Sequence, residues 1–115
     1  MSQIVRHEAG PRMSQAVVHN GVVHLAGQVG EGTTVAEQTR AVLARIDALL
    51  AAAGTDRSRL LTTQIWLSDI ATFAEMNAVW EAWVSPGATP ARATGEVKLA
   101  SPKYRVEIIV SAALP

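Results

Sequence analysis

The sequence predicts an α+β fold in which two helices cover one face of a mixed, six-stranded sheet. The spacing of the apolar residues points to it. They alternate in some stretches and recur every three or four residues in two others. Their order points to it as well: strand, hairpin, helix, strand, helix, strand, strand, with no linker long enough to divide the chain. Residues 1–115 are therefore expected to form a single domain. At 115 residues, 49% of them hydrophobic and with zero net charge, the chain can bury a core and lacks the signature of disorder.

Residues 3–7 read as a short edge strand, ended by Gly10-Pro11. Asn20-Gly21 lies between two apolar runs and is a strong signal for a two-residue hairpin turn, because both central residues of a type I′ turn need positive φ. That turn would set His19 opposite Val22, Val18 opposite Val23 and Val17 opposite His24. Ala16, Val18, Val23 and Leu25 would then face the core. Residues 27–33 form a glycine-rich connection. Thr34 and Glu37 have capping-box spacing. Val35, Thr39, Val42, Ile46, Leu49, Leu50 and Ala53 follow at helical spacing, and Gly54 is placed to end the helix.

Residues 60–67 read as a strand whose odd positions, Leu61, Thr63, Ile65 and Leu67, suit the core. Residues 69–84 read as the second helix, with Phe73, Met76, Trp80, Trp83 and Val84 as its stripe. Residues 91–99 and 104–112 are the last two strands, expected to pair through the short link between them. Their outer face would then carry Arg92, Thr94, Glu96, Arg105, Glu107 and Ile109, beside Thr62, Gln64 and Trp66 of the middle strand. Trp66 and Ile109 suit water poorly, so a second subunit is expected over that face.

Composition narrows the function. There is no cysteine, which rules out disulfides, thiol nucleophiles and zinc–thiolate sites. Ten basic residues balance ten acidic ones, so there is no basic footprint for nucleic acid, and one Tyr and one Phe make a poor stacking platform. No apolar run approaches membrane-spanning length, and residues 1–10 lack the apolar stretch of a signal peptide. The expected location is the cytoplasm.

Arg92 and Glu107 are the pair that could carry chemistry. An arginine fork can grip a small carboxylate through two parallel N–H bonds, and a glutamate in a partly dry cleft can hold or activate water. Spacing alone favours a salt bridge or two solvated side chains. Residues 27–32 lack the lysine and the spacing of phosphate-binding loops and read as a plain connection. His19 and His24 sit diagonally on the hairpin without a third metal ligand in register. Asn77, beside the apolar stripe of the second helix, reads as an amide bonded to backbone, and Trp80 and Trp83 read as core.

In order along the chain, Ser14-Gln-Ala-Val17, Gly21, Ala26-Gly27-Gln28, Gln38, Ala53-Gly54, Leu67-x-Asp69, Phe73, Asn77, Pro90-Ala91-Arg92 and Val106-Glu107-Ile108 resemble the motifs of the Rid (reactive intermediate deaminase, YjgF-type) family. The likeness covers about residues 13–113. The short first loop, Trp80-Glu-Ala-Trp83 and Pro102-Lys-Tyr104 look most like the small YoaB-like branch.

The resemblance implies a chorismate-mutase-like homotrimer with clefts at the subunit interfaces. It implies hydrolysis of small enamines and imines, such as 2-aminoacrylate, to 2-keto acids and ammonia, with no metal or organic cofactor. Arg92 matches the carboxylate-binding arginine, and Glu107 matches the glutamate that positions water. Met13 stands where the family pattern has a site-lining tyrosine, Ala26 replaces a serine, Thr94 a cysteine and Ile109 a second glutamate. Met13 and Thr94 are thus the altered substrate-facing positions. The rival reading is a non-catalytic binder of small carboxylates that uses the same Arg92. A ribonuclease label carried by some relatives conflicts with the charge and aromatic content.

Overall fold

The computed structural model describes residues 3–115. In chain order it has β1 (Val5–His7), β2 (Ala16–His19), β3 (Val22–Leu25), α1 (Val35–Ala53), β4 (Leu60–Leu67), α2 (Phe73–Trp83), β5 (Ala91–Glu96) and β6 (Val106–Ala113). The six strands form one sheet in the order β1-β2-β3-β6-β4-β5. β4 and β5 run parallel, and the other neighbours are antiparallel.

The hairpin follows from its turn. Asn20 and Gly21 have φ of 51° and 77°, as a type I′ turn requires. The β2–β3 register is the one that turn dictates, from His19 opposite Val22 to Ala16 opposite Leu25. α1 begins where Thr34 Oγ1 accepts from the Glu37 N–H and the Glu37 carboxylate turns back to accept from the Thr33 N–H. It ends at Gly54, in the left-handed region at φ 92°.

Val42, Leu43, Ile46 and Leu50 of α1 and Met76 and Trp80 of α2 pack on Val23, Ile65, Leu67, Val106, Ile108 and Val110 of the sheet. Each large side chain buried this way contributes about 1.5–3 kcal/mol. Gln38 is a buried amide whose two N–H donors and oxygen are all engaged in hydrogen bonds. Its Nε2 donates to the Gly32 and Lys103 carbonyls, and its Oε1 accepts from the Arg105 N–H. It ties α1 to the connection that leads into β6.

Two expectations are corrected. Leu61 does not face the core: it is 43% exposed, and Leu60 is buried in its place. A bulge between Leu60 and Thr62 inserts one extra residue and breaks the alternation there. Thr63, Ile65 and Leu67 face inward as expected. Second, β5 and β6 do not pair, because β4 lies between them. α2 joins β4 to β5 as a crossover, returning the chain so that β5 runs parallel to β4. The register sets Arg92 beside Thr63, Thr94 beside Ile65 and Glu96 beside Leu67. Those three residues therefore face the helices rather than the open side of the sheet. Thr62, Gln64, Trp66, Glu107, Ile109 and Ser111 do lie on the open face, with Trp66 and Ile109 half-buried.

Candidate functional site

Arg92 sits on the edge strand β5 and turns under α2. Phe73, Asn77 and Trp80, at i, i+4 and i+7 of that helix, meet it. Its Nη1 donates to Asn77 Oδ1 at 2.7 Å, and the guanidinium carbon lies 5.7 Å from the ring centres of both Phe73 and Trp80. Asn77 thus bonds the arginine rather than backbone. Trp80 is itself packed on Trp83, with ring centres 5.4 Å apart. The Trp83 indole donates to Asp47 Oδ2 at 2.9 Å, which fixes the aromatic pair to α1. Thr94, two residues along β5, has its Oγ1 buried with no hydrogen-bond partner among the described residues.

Glu107 is on β6, opposite Trp66 of β4, and faces the open side. Its carboxylate makes no hydrogen bond or ion pair among the described residues. Burial pushes its carboxyl above the ordinary glutamate range, because partial loss of water disfavours the charged form. Its carboxylate lies against Gly27. A Cβ there would stand 2.0 Å from Oε2, so only glycine leaves room for this carboxylate position. Gln28 holds the glycine in place by a two-way backbone bridge to Ile108, at 2.9 and 3.1 Å. The buried Gln28 side chain bonds Gln15, the Ala26 carbonyl and Arg45. Residues 27 and 28 therefore do more than connect elements. The available signal was a glycine followed by an amide just after a strand, which is weak by itself.

Arg92 and Glu107 were expected on one face, and the structure corrects this. They lie two strands apart, offset by three residues along β4, and point to opposite sides. Strand geometry puts their Cα atoms about 14 Å apart. Met13 is 48% exposed, just before β2, at the end of the hairpin where the Ala26 N–H donates to the Gln15 carbonyl. It lies toward Gly27, with β3, β6 and β4 separating its strand from β5. The candidate residues thus do not share one side of the sheet: Arg92 and Thr94 lie with Asn77 and Trp80 on the helix side, Glu107 lies with Gly27 on the open side, and Met13 lies beyond the end of β2 nearest Gly27. His19 and His24 are diagonal on the hairpin as expected.

Two helices on one face of this mixed sheet, with an arginine held at one edge and a carboxylate seated over a glycine on the open face, make an α+β protein with a polar group on each side of its sheet. The sequence model of the Endoribonuclease L-PSP family matches residues 4–114, and the chain belongs to that family. It is 42% identical over 113 residues to the RutC family protein YoaB of Escherichia coli, covering 96% of this chain and 98% of that one. The crystal structure of a YjgF family member from Neisseria meningitidis superposes with a TM-score of 0.96 at 47% identity, covering 98% of this chain and 96% of that one. More distantly, the chain is 32% identical over 103 residues to the chloroplastic Reactive Intermediate Deaminase A of Arabidopsis thaliana, covering 83% of this chain and 54% of that protein. The family therefore includes a protein named as a reactive intermediate deaminase.

Proposed function

We propose that the protein hydrolyses small carboxylate-bearing imines and enamines, of the 2-aminoacrylate type, to 2-keto acids and ammonia, in clefts between the copies of a homotrimer. The observation that carries this reading is Glu107: a partly desolvated carboxylate, raised in basicity, unpartnered among the described residues and lying in space that only a glycine at position 27 leaves open. A group in that condition is suited to water activation, because an ion-paired glutamate would be a poorer base. The distant deaminase relative points the same way.

The scheme assigns the Arg92 fork to the substrate carboxylate. The enamine takes a proton from solvent at carbon to become the iminium ion. Water then adds to the iminium carbon as Glu107 accepts one of its protons, giving a neutral carbinolamine. Glu107 returns that proton to the nitrogen, and the C–N bond breaks as the hydroxyl gives its own proton to the carboxylate and becomes the carbonyl, releasing ammonia. No metal or organic cofactor is called for. Because Arg92 and Glu107 point to opposite sides of one sheet, each cleft draws Arg92 from one copy and Glu107 from another. The same scheme assigns Thr94 and Met13 to the cleft wall.

Arg92, held and accessible, would also serve a non-catalytic binder of 2-keto acids. An assay separates the two readings. Imines are generated in situ by an amino-acid oxidase, and 2-keto acid release is followed with and without the protein. Acceleration that Glu107→Gln abolishes supports hydrolysis. Binding of 2-keto acids without acceleration of any imine supports the binder.

A further inference from the structure

We infer that Asn77 and Trp80 are positioning residues for Arg92, fixing which edge of its guanidinium meets an incoming carboxylate; this rests on the carboxylate-binding role proposed for Arg92. An arginine on an exposed edge strand ordinarily keeps its rotamer freedom, and a ligand must then order it on binding. Here three contacts from one helix face have already done so.

Asn77 Oδ1 takes an Nη1 proton at 2.7 Å. The bond leaves the Nε–Nη2 edge uncommitted, and its two N–H bonds are parallel and match a carboxylate. Phe73 and Trp80 each stand 5.7 Å from the guanidinium carbon. They stabilise the cation without using an N–H donor. The two rings are not equivalent. Phe73 is 38% exposed, whereas Trp80 is 5% exposed and packed on Trp83, which is bonded to Asp47. Trp80 is therefore the fixed wall, and Asn77 sets the rotation of the guanidinium against it.

The test uses 2-oxobutanoate as the probe, with binding measured by calorimetry and the Trp80 indole N–H signal, assigned with Trp80→Phe, followed by NMR. Arg92→Ala should lose measurable binding. Asn77→Ala and Trp80→Leu should each weaken it about tenfold, the scale of a charge-assisted hydrogen bond or a desolvated cation–π contact. Trp80→Phe keeps a ring and should stay within about threefold. The Trp80 indole signal should move on titration of the wild type and stay still in Arg92→Ala. If Asn77→Ala and Trp80→Leu bind like wild type while Arg92→Ala does not, the positioning role is overturned and the role of Arg92 stands. If Arg92→Ala itself binds like wild type, the underlying functional reading fails. Should Trp80→Leu not fold, Asn77→Ala and the indole signal decide.

Discussion

Arg92 and Glu107 project from opposite faces of one sheet, flanking β4 at Thr63 and Trp66 respectively. No rotamer change brings them together, because the sheet itself stands between them. A reaction that uses both must be assembled from two copies of the chain.

That geometry predicts complementation. Arg92→Ala and Glu107→Gln should each be inactive alone. Co-expressed in equal amounts, they should form mixed trimers in which about a quarter of the clefts carry both native residues, and imine hydrolysis should return to about that fraction of the wild-type rate. Mixed assemblies with no activity would show that both residues of a cleft come from the same copy, and a single variant that stays active alone would show that its residue is not needed. Sedimentation that finds only a stable monomer at micromolar concentration would remove the interfacial cleft altogether.

Gly27→Ala should separate folding from chemistry. The added Cβ collides with the end of the Glu107 side chain, 2.0 Å from Oε2 and 2.9 Å from Cδ. A flexible carboxylate on the open face can swing away, so the fold should survive with a stability loss within about 1 kcal/mol. The carboxylate then leaves its water-activating position, and imine hydrolysis should fall at least about tenfold. Activity equal to wild type would show that the placement of Glu107 over Gly27 is incidental.

Much of this was legible in the sequence because it is written in local rules. Asn20-Gly21 specifies its turn and hence the β2–β3 register, and Thr34 with Glu37 and Gly54 bounds α1. Strand neighbours are not local. Nothing within residues 91–112 says that β4 will lie between β5 and β6. Reading that link as a hairpin put Arg92 on the same face as Glu107, when the crossover through α2 puts it on the other. Alternation also fails at a bulge, as at Leu61, because one inserted residue reverses the parity of everything before it. The Rid-like motifs picked out Arg92, Asn77, Gly27 and Glu107 together, but motif order carries no information on which face each one takes.

Gln38 should prove a costly residue to replace. Its amide joins Gly32, Lys103 and the Arg105 N–H, and it is fully buried. Gln38→Leu keeps the bulk but leaves two carbonyls and one N–H without those partners. We expect a loss of about 2–4 kcal/mol, measured by urea unfolding, since each orphaned group costs about 1–3 kcal/mol and some recover water. A loss below about 1 kcal/mol would mean that solvent replaces the amide freely.

Glu107→Gln should act oppositely on activity and on stability. Burial raises the Glu107 carboxyl above its unfolded value, so the folded state binds the proton more tightly than the unfolded one. Wild-type stability from this group is full in acid and falls as pH rises through the raised value, where the partly dry site must accept a charge. Glutamine never ionises. The variant should therefore match wild type near pH 4 and exceed it at pH 7, by less than about 1 kcal/mol because the carboxylate still touches water. Activity should run the other way. Wild-type hydrolysis should drop as pH falls through a value above the ordinary glutamate range, when the base becomes protonated. The variant should lose about 10²–10⁴ in rate at pH 7, the usual contribution of a positioned base. Thermal melts across pH 4–8 and the oxidase-coupled assay measure both. A variant that is less stable than wild type at pH 7 would mean that Glu107 has a favourable partner in the assembled protein. A variant equally active there would mean that water is activated by some other group.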